Sequence, residues 1–193
     1  MNITKLYDTF PIYLIKNFEQ VQDSLRIALI SVVLENKFRN HQGKSGGSFL
    51  IDEDYRGFFK YLYNKFFEVS KTIFGDFTTS DNNESCWSYA SNKFDHGAGI
   101  LHNHLNTSTI NSVYYLNVPR IASIDQGSIS FSLNGNKFTY KPENGDLLIF
   151  PNYLDHQINF LDDEEYRVSI NMEIKCKETS EELFSRVNIL NIT

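Results

Sequence analysis

The sequence predicts an α+β protein in which a helical first third supports an antiparallel β sandwich or barrel. Apolar residues recur at helical spacing in the first third, whereas from about residue 84 onward their period shortens to two. In that later part, short runs rich in β-branched and aromatic residues are separated by Gly, Asn, Asp or Pro. Such a succession is typical of sandwiches and barrels, and not of alternating βαβ proteins.

The composition is that of a folded globular chain with an acidic balance. Its 193 residues suffice for one domain with a substantial core, and 15% of them are aromatic while 22% are charged. The formal net charge of -6 repels phosphate backbones, so general nucleic-acid binding is disfavoured. We therefore expect a partner of another class.

Cysteine usage and hydropathy indicate a cytoplasmic protein. Cys86 and Cys176 lie far apart, without a C-x-x-C pair, which fits reduced thiols. The start of the chain lacks the pattern of a signal peptide, and no apolar run approaches the length of a membrane span. The sequence thus predicts neither export nor membrane insertion.

The first third contains a short strand and two predicted helices. The strand is "PIYLIKNF", and the helices are "EQVQDSLRIALISVVLENKF" and "DEDYRGFFKYLYNKFFEVSKTIF". The acidic residues at the start of the second helix suit a helix N-terminus. Between the helices, "NHQGKSGGSF" is rich in Gly and Ser and reads as a surface loop or a lid.

Two local signals punctuate the later part of the chain. Asn134-Gly135 in "SLNGNKF" separates two strand-like runs and predicts a tight hairpin. "ETSEELFSRVNI" predicts a short terminal helix capped by Thr179 or Ser180. We expect one domain over 1–193, with a mostly helical support in 1–80, a β core in 84–176 and a C-terminal helix in 178–193.

Three histidines are candidate metal ligands. In "LHNHLNTS", an extended chain would project His102 and His104 to the same side, and His156 ends a strand-like run later in the β region. Neutral imidazole suits iron, zinc, copper or nickel. The H-x-H spacing alone is a weak signal and is more often found in polar surface histidines or hydrogen-bonded core histidines. Asp95 and His96 in "DHGAG" are weaker candidates because that segment is turn-like.

One strand near the end of the chain has a polar face that begins with an arginine. In "RVSINMEI", Arg167, Ser169, Asn171 and Glu173 alternate with four apolar residues. This face could meet solvent, as in an ordinary sandwich. Alternatively it lines a cavity, where Arg167 would clamp a carboxylate in bidentate fashion with help from the Ser169 hydroxyl.

From about Trp87 to Glu173 the chain resembles the 2-oxoglutarate- and Fe(II)-dependent oxygenases, particularly short bacterial and phage members related to prolyl 4-hydroxylases. The motifs occur in the family's order: "HNH", "SVYYLNVP", "GSISF", "KPENGDLLIFP", "LDHQI" and "RVS". The resemblance implies a double-stranded β-helix, the cupin-like jelly roll, with helices supporting one sheet. It also implies Fe(II) as cofactor and 2-oxoglutarate as cosubstrate, and, for a phage protein, the host cytoplasm.

The resemblance implies a role for each matching residue. His102 and His156 would bind iron, whereas His104 stands where the family has a carboxylate. Arg167 and Ser169 would hold the distal carboxylate of 2-oxoglutarate, and Tyr115 would hydrogen-bond to it.

The position of His104 departs from the family pattern. A third imidazole keeps three ligands on one side of the metal but makes the site one charge more positive. Three alternatives stay open: His104 lies behind the ligands, Asn106 contributes an oxygen, or the site takes zinc and is catalytically silent. Asn171 shares the polar strand face, and its role is open.

The activity implied by the resemblance is hydroxylation coupled to 2-oxoglutarate decarboxylation, with O2 consumed. Two other functions are compatible with the residues: a cupin-like three-histidine metal enzyme in which Arg167 is structural, and a non-enzymatic jelly-roll binding module. The substrate, a protein or a small molecule, cannot be read from the chain. An exposed edge strand could pair two copies into a homodimer.

Overall fold

Three helices and nine strands make up the part of the chain that the structure describes. The structure is a computed structural model, and it describes residues 2–7, 9–39, 53–94, 99–120, 123 and 125–187. The predicted loop at 40–49, Asp95 and His96 lie outside these residues. In chain order the elements are β1 (Ile3–Tyr7), β2 (Phe10–Ile15), α1 (Asp23–Arg39), α2 (Glu53–Phe74), β3 (Thr79–Ser91), β4 (Ile110–Asn117), β5 (Ile129–Leu133), β6 (Asn136–Tyr140), β7 (Leu147–Pro151), β8 (Asp155–Ile158), β9 (Arg167–Cys176) and α3 (Ser180–Ser185).

The strands form two antiparallel sheets that pack face to face. The larger has the order β1-β2-β7-β4-β9-β3, and the smaller has the order β6-β5-β8. A bridge between His102 and His156 adds the segment before β4 to the edge of the smaller sheet, and Gly99 N donates to Ile158 O at 2.9 Å beside it. This pair of sheets confirms the predicted α+β jelly roll.

The two long helices cover the outer face of the larger sheet. Leu29 of α1 and Leu62 and Phe66 of α2 are fully buried, and they share one core cluster with Ile170 and Met172 of β9. Burying this apolar area is the main stabilising contribution on that side of the sheet. The inner face of the same sheet is therefore left for the smaller sheet and the site.

A second core lies between the two sheets. Val113 and Tyr115 of β4, Phe150 of β7 and Phe131 of β5 belong to it and are buried. Because successive side chains of a strand point to opposite faces, Tyr114 instead packs with the helices. Adjacent tyrosines thus contribute to different cores.

The predicted turn and terminal cap are both present. Asn134 and Gly135 have φ values of 51° and 80° and connect β5 to β6, as a two-residue hairpin of the predicted kind requires. Thr179 caps α3, and it exchanges hydrogen bonds with Glu182: Glu182 N donates to Thr179 Oγ1 at 3.2 Å, and Thr179 N donates to Glu182 Oε2 at 2.8 Å.

The N-terminal region contributes more to the sheet than the sequence predicted. Strand β1 was not predicted, and β2 pairs with β7, so both belong to the larger sheet. In α2, Leu62 and Phe66 are buried, whereas Tyr61 is half exposed and donates from its hydroxyl to Glu19 Oε2 at 2.8 Å. The division at residues 80 and 84 stays a prediction. Among the described helices, none is long and apolar enough to cross a membrane.

Candidate metal centre and buried arginine

Pairing between the smaller sheet and the "HNH" segment brings the three histidines together. His102 N donates to His156 O at 3.1 Å, and His156 N donates to His102 O at 2.8 Å. His104 N donates to Asn152 O at 2.9 Å, which fixes the second histidine beside them. One ligand nitrogen from each of the three side chains lies within 4.8 Å of the others. The predicted metal-ligand residues therefore form one cluster.

Each imidazole of the cluster has an oxygen close to its Nδ1 atom. His102 Nδ1 donates to Ile100 O at 2.7 Å, and His156 Nδ1 donates to Leu154 O at 3.0 Å. His104 Nδ1 lies 2.6 Å from Glu173 Oε1. The Nε2 atoms of His104 and His156 face each other at 3.3 Å. An Nδ1–H held by an acceptor leaves Nε2 free to bind a metal, which is the usual arrangement of a metal-binding histidine.

His156 is the buried member of the cluster. Its ring lies 4.9 Å from that of Phe150 and 6.0 Å from that of Phe131, measured between centroids. Burial lowers the pKa of His156 to about 3, so this imidazole is neutral at neutral pH. A neutral imidazole is the form that binds a metal, and the surrounding rings shield it from water.

Arg167 is fully buried at the start of β9, between the two sheets. Its guanidinium carbon lies 4.9 Å from the centroid of the Tyr115 ring. Within the described residues, none of its three guanidinium nitrogens has a hydrogen-bond partner. Burial lowers the pKa of Arg167, yet a guanidinium remains charged at neutral pH. A buried and unpaired cation is strongly destabilising, so this position calls for an anion.

Two further buried groups near Arg167 lack partners among the described residues: the Tyr115 hydroxyl and the Ser169 hydroxyl. Tyr115 and Ser169 face each other directly across the β4–β9 pairing. Burial raises the pKa of Tyr115 to about 12, so its hydroxyl keeps its proton and can donate. The three residues predicted to hold 2-oxoglutarate thus offer unused donors in one buried place.

The other predicted candidates lie at different depths. Asn171 is half-buried on the same strand face as Arg167, and its role stays a prediction. Asn106 is exposed in the turn after His104, and its carbonyl oxygen lies 3.5 Å from Lys175 Nζ. His104 stands in the cluster with the other two histidines, as the ligand hypothesis requires.

Glu173 is the site residue that the sequence did not reveal. It lies six positions after Arg167 on the same face of β9, and its side chain is only 7% exposed. An acidic residue in phase with Arg167 was the available signal, but such a face is equally typical of a solvated strand. Its neighbour His104 lies far away in sequence, so only the fold brings the two together.

Comparison with known protein families gives a match over most of the β region. Residues 85–173 match a protein-family model described as "Putative 2OG-Fe(II) oxygenase". This range contains every residue of the candidate site, from "HNH" through the arginine strand to Glu173. A search of curated protein sequences found no match.

Several solved structures share the fold at low sequence identity. A prolyl-4-hydroxylase from Pseudomonas putida has a TM-score of 0.57 and 16% identity, over 88% of this chain and 90% of that one. A Trichoplax adhaerens prolyl hydroxylase, solved with a hypoxia inducible factor oxygen degradation domain peptide fragment, has a TM-score of 0.58 and 18% identity, over 92% and 87% of the two chains. HygX from Streptomyces hygroscopicus, solved with nickel and 2-oxoglutarate, has a TM-score of 0.58 and 10% identity, over 89% and 85%.

These structures establish the shared jelly roll, and the family match covers the strands and segments that carry the site. Residues 85–173 thus match the 2-oxoglutarate- and Fe(II)-dependent oxygenase family, and the fold is shared with solved oxygenase structures.

Proposed function

We propose that this chain is a hydroxylase that couples decarboxylation of 2-oxoglutarate to oxidation of a substrate C–H bond. His102, His104 and His156 bind Fe(II), and Arg167, with its two neighbouring hydroxyls, binds the distal carboxylate of 2-oxoglutarate. The observation that carries the proposal is the fully buried guanidinium of Arg167, which has no partner among the described residues.

The histidine cluster suits a divalent metal. Three nitrogen ligands grouped on one side of a metal leave adjacent positions for a chelating cosubstrate and for oxygen. The Nδ1 contacts orient the rings, and the burial of His156 keeps that ligand neutral. Binding would therefore require little rearrangement of the described side chains.

The Arg167 pocket suits a carboxylate. A guanidinium can donate two parallel hydrogen bonds to one carboxylate, and a buried charge-assisted pair is stronger than a neutral hydrogen bond. The Tyr115 and Ser169 hydroxyls can complete the shell of donors. A dicarboxylate with one end at the metal would then relieve the unpaired positive charge with its other end.

Bound Fe(II) and 2-oxoglutarate would supply the oxidation, with O2 as oxidant and succinate and CO2 as products of the cosubstrate. The chain's own contribution is to hold the cosubstrate, to fix its orientation and to exclude water. Phe131 and Phe150 close the inner side of the cluster beside His156. Exclusion of water strengthens each electrostatic contact within the pocket.

The substrate would approach from the exposed side of the cluster. His102 is exposed, and the apolar side chains of Ile100, Leu101 and Leu105 beside it are between 50% and 84% exposed. These residues offer contact area for an organic substrate next to the metal. They support a hydroxylase that admits a substrate over the "LHNHL" segment.

The decisive experiment is an anaerobic titration of Fe(II)-loaded protein with 2-oxoglutarate, monitored by the visible charge-transfer band of a chelated keto acid. Wild type is expected to develop the band, and Arg167→Ala to lose it at the same 2-oxoglutarate concentration while still binding metal. Arg186→Ala is the matched control, since Arg186 is exposed and its guanidinium donates to Asp76 O, away from the site. Succinate formation in air, measured with and without candidate substrates, tests the coupled reaction.

Each contrary result would point to a specific alternative. A band that survives Arg167→Ala would show that the arginine is structural and would overturn the assigned cosubstrate pocket. Metal binding without any band would favour the cupin-like enzyme. Absence of metal binding would favour a jelly-roll binding module.

A further inference from the structure

Glu173 is a buried carboxylate beside the histidine cluster. Its side chain is 7% exposed on the inner face of β9, and its Oε1 lies 2.6 Å from His104 Nδ1. The distance is that of an ion pair, but the angle is not that of a hydrogen bond, and Oε1 has no other partner in the described part of the chain. A buried carboxylate is costly unless it is paired, so this contact is expected to have a function.

The three imidazoles of the cluster differ in what stands behind them. His102 and His156 each donate from Nδ1 to a backbone carbonyl, which is neutral. His104 alone of the three has a carboxylate at that position. It is also the histidine that stands where the resembled family has a carboxylate ligand.

The geometry points to Glu173 as the carboxylate of this metal centre, placed behind His104 and not on the metal itself. Its Oε1, 2.6 Å from His104 Nδ1, pairs electrostatically with that side of the ring, leaves Nε2 for the metal, and returns the negative charge that the third imidazole removes. Glu173 is a positioning residue, since it acts through His104. The inference rests on the metal site of the proposed function.

Charge compensation explains the pairing of these two positions. Replacing a carboxylate ligand by a neutral imidazole makes the metal centre more positive by one charge. A carboxylate in hydrogen-bond range of that imidazole restores the total charge of the buried site. It also makes the imidazole a more basic ligand, because the polarised ring donates more electron density to the metal.

The position of Glu173 in the sheet supports the assignment. In the β4–β9 pairing it faces Asn111, whose Oδ1 accepts from Ser108 Oγ at 2.6 Å. Asn111 Nδ2 is buried and has no partner among the described residues, so it can orient the carboxylate without neutralising it. Among the described residues, His104 is the basic group within ion-pair distance of the Glu173 carboxylate.

The first test measures metal binding alone, without 2-oxoglutarate. Metal-free protein is titrated with Co(II), and its absorption spectrum and dissociation constant are recorded for wild type, Glu173→Gln and Glu173→Ala. Loss of such a supporting carboxylate typically weakens metal binding by about 10- to 100-fold, and we expect Glu173→Ala to be the weaker of the two variants. Glu173→Gln retains an acceptor oxygen and the side-chain shape, so it isolates the effect of charge.

Glu19→Gln is the matched control for losing a carboxylate. Glu19 accepts hydrogen bonds from Tyr61 at 2.8 Å and Lys65 at 2.8 Å on the helical side of the larger sheet. We expect this variant to bind Co(II) like wild type. Melting temperatures of the metal-free proteins show whether each variant is folded.

A double-mutant comparison tests whether Glu173 acts through His104. In the His104→Asp background, the imidazole through which Glu173 acts is gone, and the ligand itself carries the negative charge. Glu173→Gln is therefore expected to weaken Co(II) binding much less in that background than in wild type. A purely structural glutamate would have an effect of the same size in both backgrounds.

The outcomes separate this inference from the proposed function. If wild type binds Co(II) and Glu173→Gln binds it equally well, Glu173 has no role at the metal, while the proposed oxygenase stands. If Glu173→Gln weakens binding equally in both backgrounds, the residue is structural and the inference is overturned. If folded wild type fails to bind Co(II), Zn(II) and Fe(II), both the metal site and the inference are wrong.

Discussion

The guanidinium of Arg167 lies over the ring of Tyr115, with 4.9 Å between its carbon and the ring centroid. The aromatic face stabilises the cation without using any of its N–H donors. Arg167 thus remains buried while its donors, like the Tyr115 hydroxyl, are left for a ligand. The same contact predicts that the ring and the hydroxyl of Tyr115 have separable roles.

Tyr115→Phe keeps the ring under Arg167 and removes only the hydroxyl. Because one hydrogen bond to the ligand is then lost, the affinity for 2-oxoglutarate is expected to fall by roughly 2- to 10-fold. In the absence of ligand, the melting temperature should not fall, since that hydroxyl has no partner among the described residues. Calorimetric titration of metal-loaded protein and thermal unfolding measure the two effects.

Tyr114→Phe is the matched control, because Tyr114 faces the helices and its hydroxyl donates to Glu19 O at 3.0 Å. It should lose about 1 kcal/mol of unfolding free energy and bind 2-oxoglutarate normally. If instead Tyr114→Phe weakens 2-oxoglutarate binding and Tyr115→Phe destabilises the ligand-free protein, then Tyr114, and not Tyr115, faces the pocket.

Arg167→Met should separate stability from function. The variant keeps much of the side-chain volume but removes a buried, unpaired charge, so the free energy of unfolding without ligand should stay equal or rise, by up to about 4 kcal/mol. In wild type, 2-oxoglutarate at about a hundredfold excess over its dissociation constant should add about 2.7 kcal/mol, or about 5–10 °C in melting temperature. The variant should lose that shift.

The result that would contradict this account is a large loss of stability in metal-free Arg167→Met. It would mean that the guanidinium is already paired in the folded protein, and that its pocket needs no anion to balance the charge.

Part of this architecture could be predicted from local sequence, because strand alternation and turn chemistry act over a few residues. The alternation in β9 placed Arg167 and Ser169 on one face, and Asn134-Gly135 marked its hairpin. Strand β1 was missed because a short edge strand with mixed residues has little signal of its own. Which polar groups lack partners depends on contacts between distant strands, and no local pattern contains that information.

Gly145 holds the loop that leads into β7 and fixes the backbone of Tyr115. Its N–H donates to Tyr115 O at 2.8 Å, its φ is 87°, and an added Cβ would lie 3.0 Å from Glu19 O. Gly145→Ala should therefore lower the free energy of unfolding by about 1–2 kcal/mol because of the left-handed conformation. The clash of the added Cβ with the backbone should lower it by roughly 1–3 kcal/mol more.

Gly135→Ala is the comparison for Gly145→Ala, since its φ is 80° but no atom lies within 4 Å of an added Cβ. Urea unfolding of both variants should show a clearly larger loss for Gly145→Ala. Equal losses would show that conformational strain alone matters, and that the loop yields to the methyl group.

His102 and His156 should differ in how much their removal lowers the stability of the metal-free protein. His102 is exposed, so His102→Ala should change the unfolding free energy of metal-free protein by no more than about 0.5 kcal/mol. His156 is buried against Phe131 and Phe150, so His156→Ala leaves a cavity and should cost about 2–4 kcal/mol. Both variants should bind Co(II) far more weakly than wild type, because each removes one of three ligands. Thermal unfolding in chelator and Co(II) titration measure the two quantities separately. If His102→Ala binds Co(II) as wild type does, then the exposed histidine is not a ligand, and the metal centre must be rebuilt around His104 and His156.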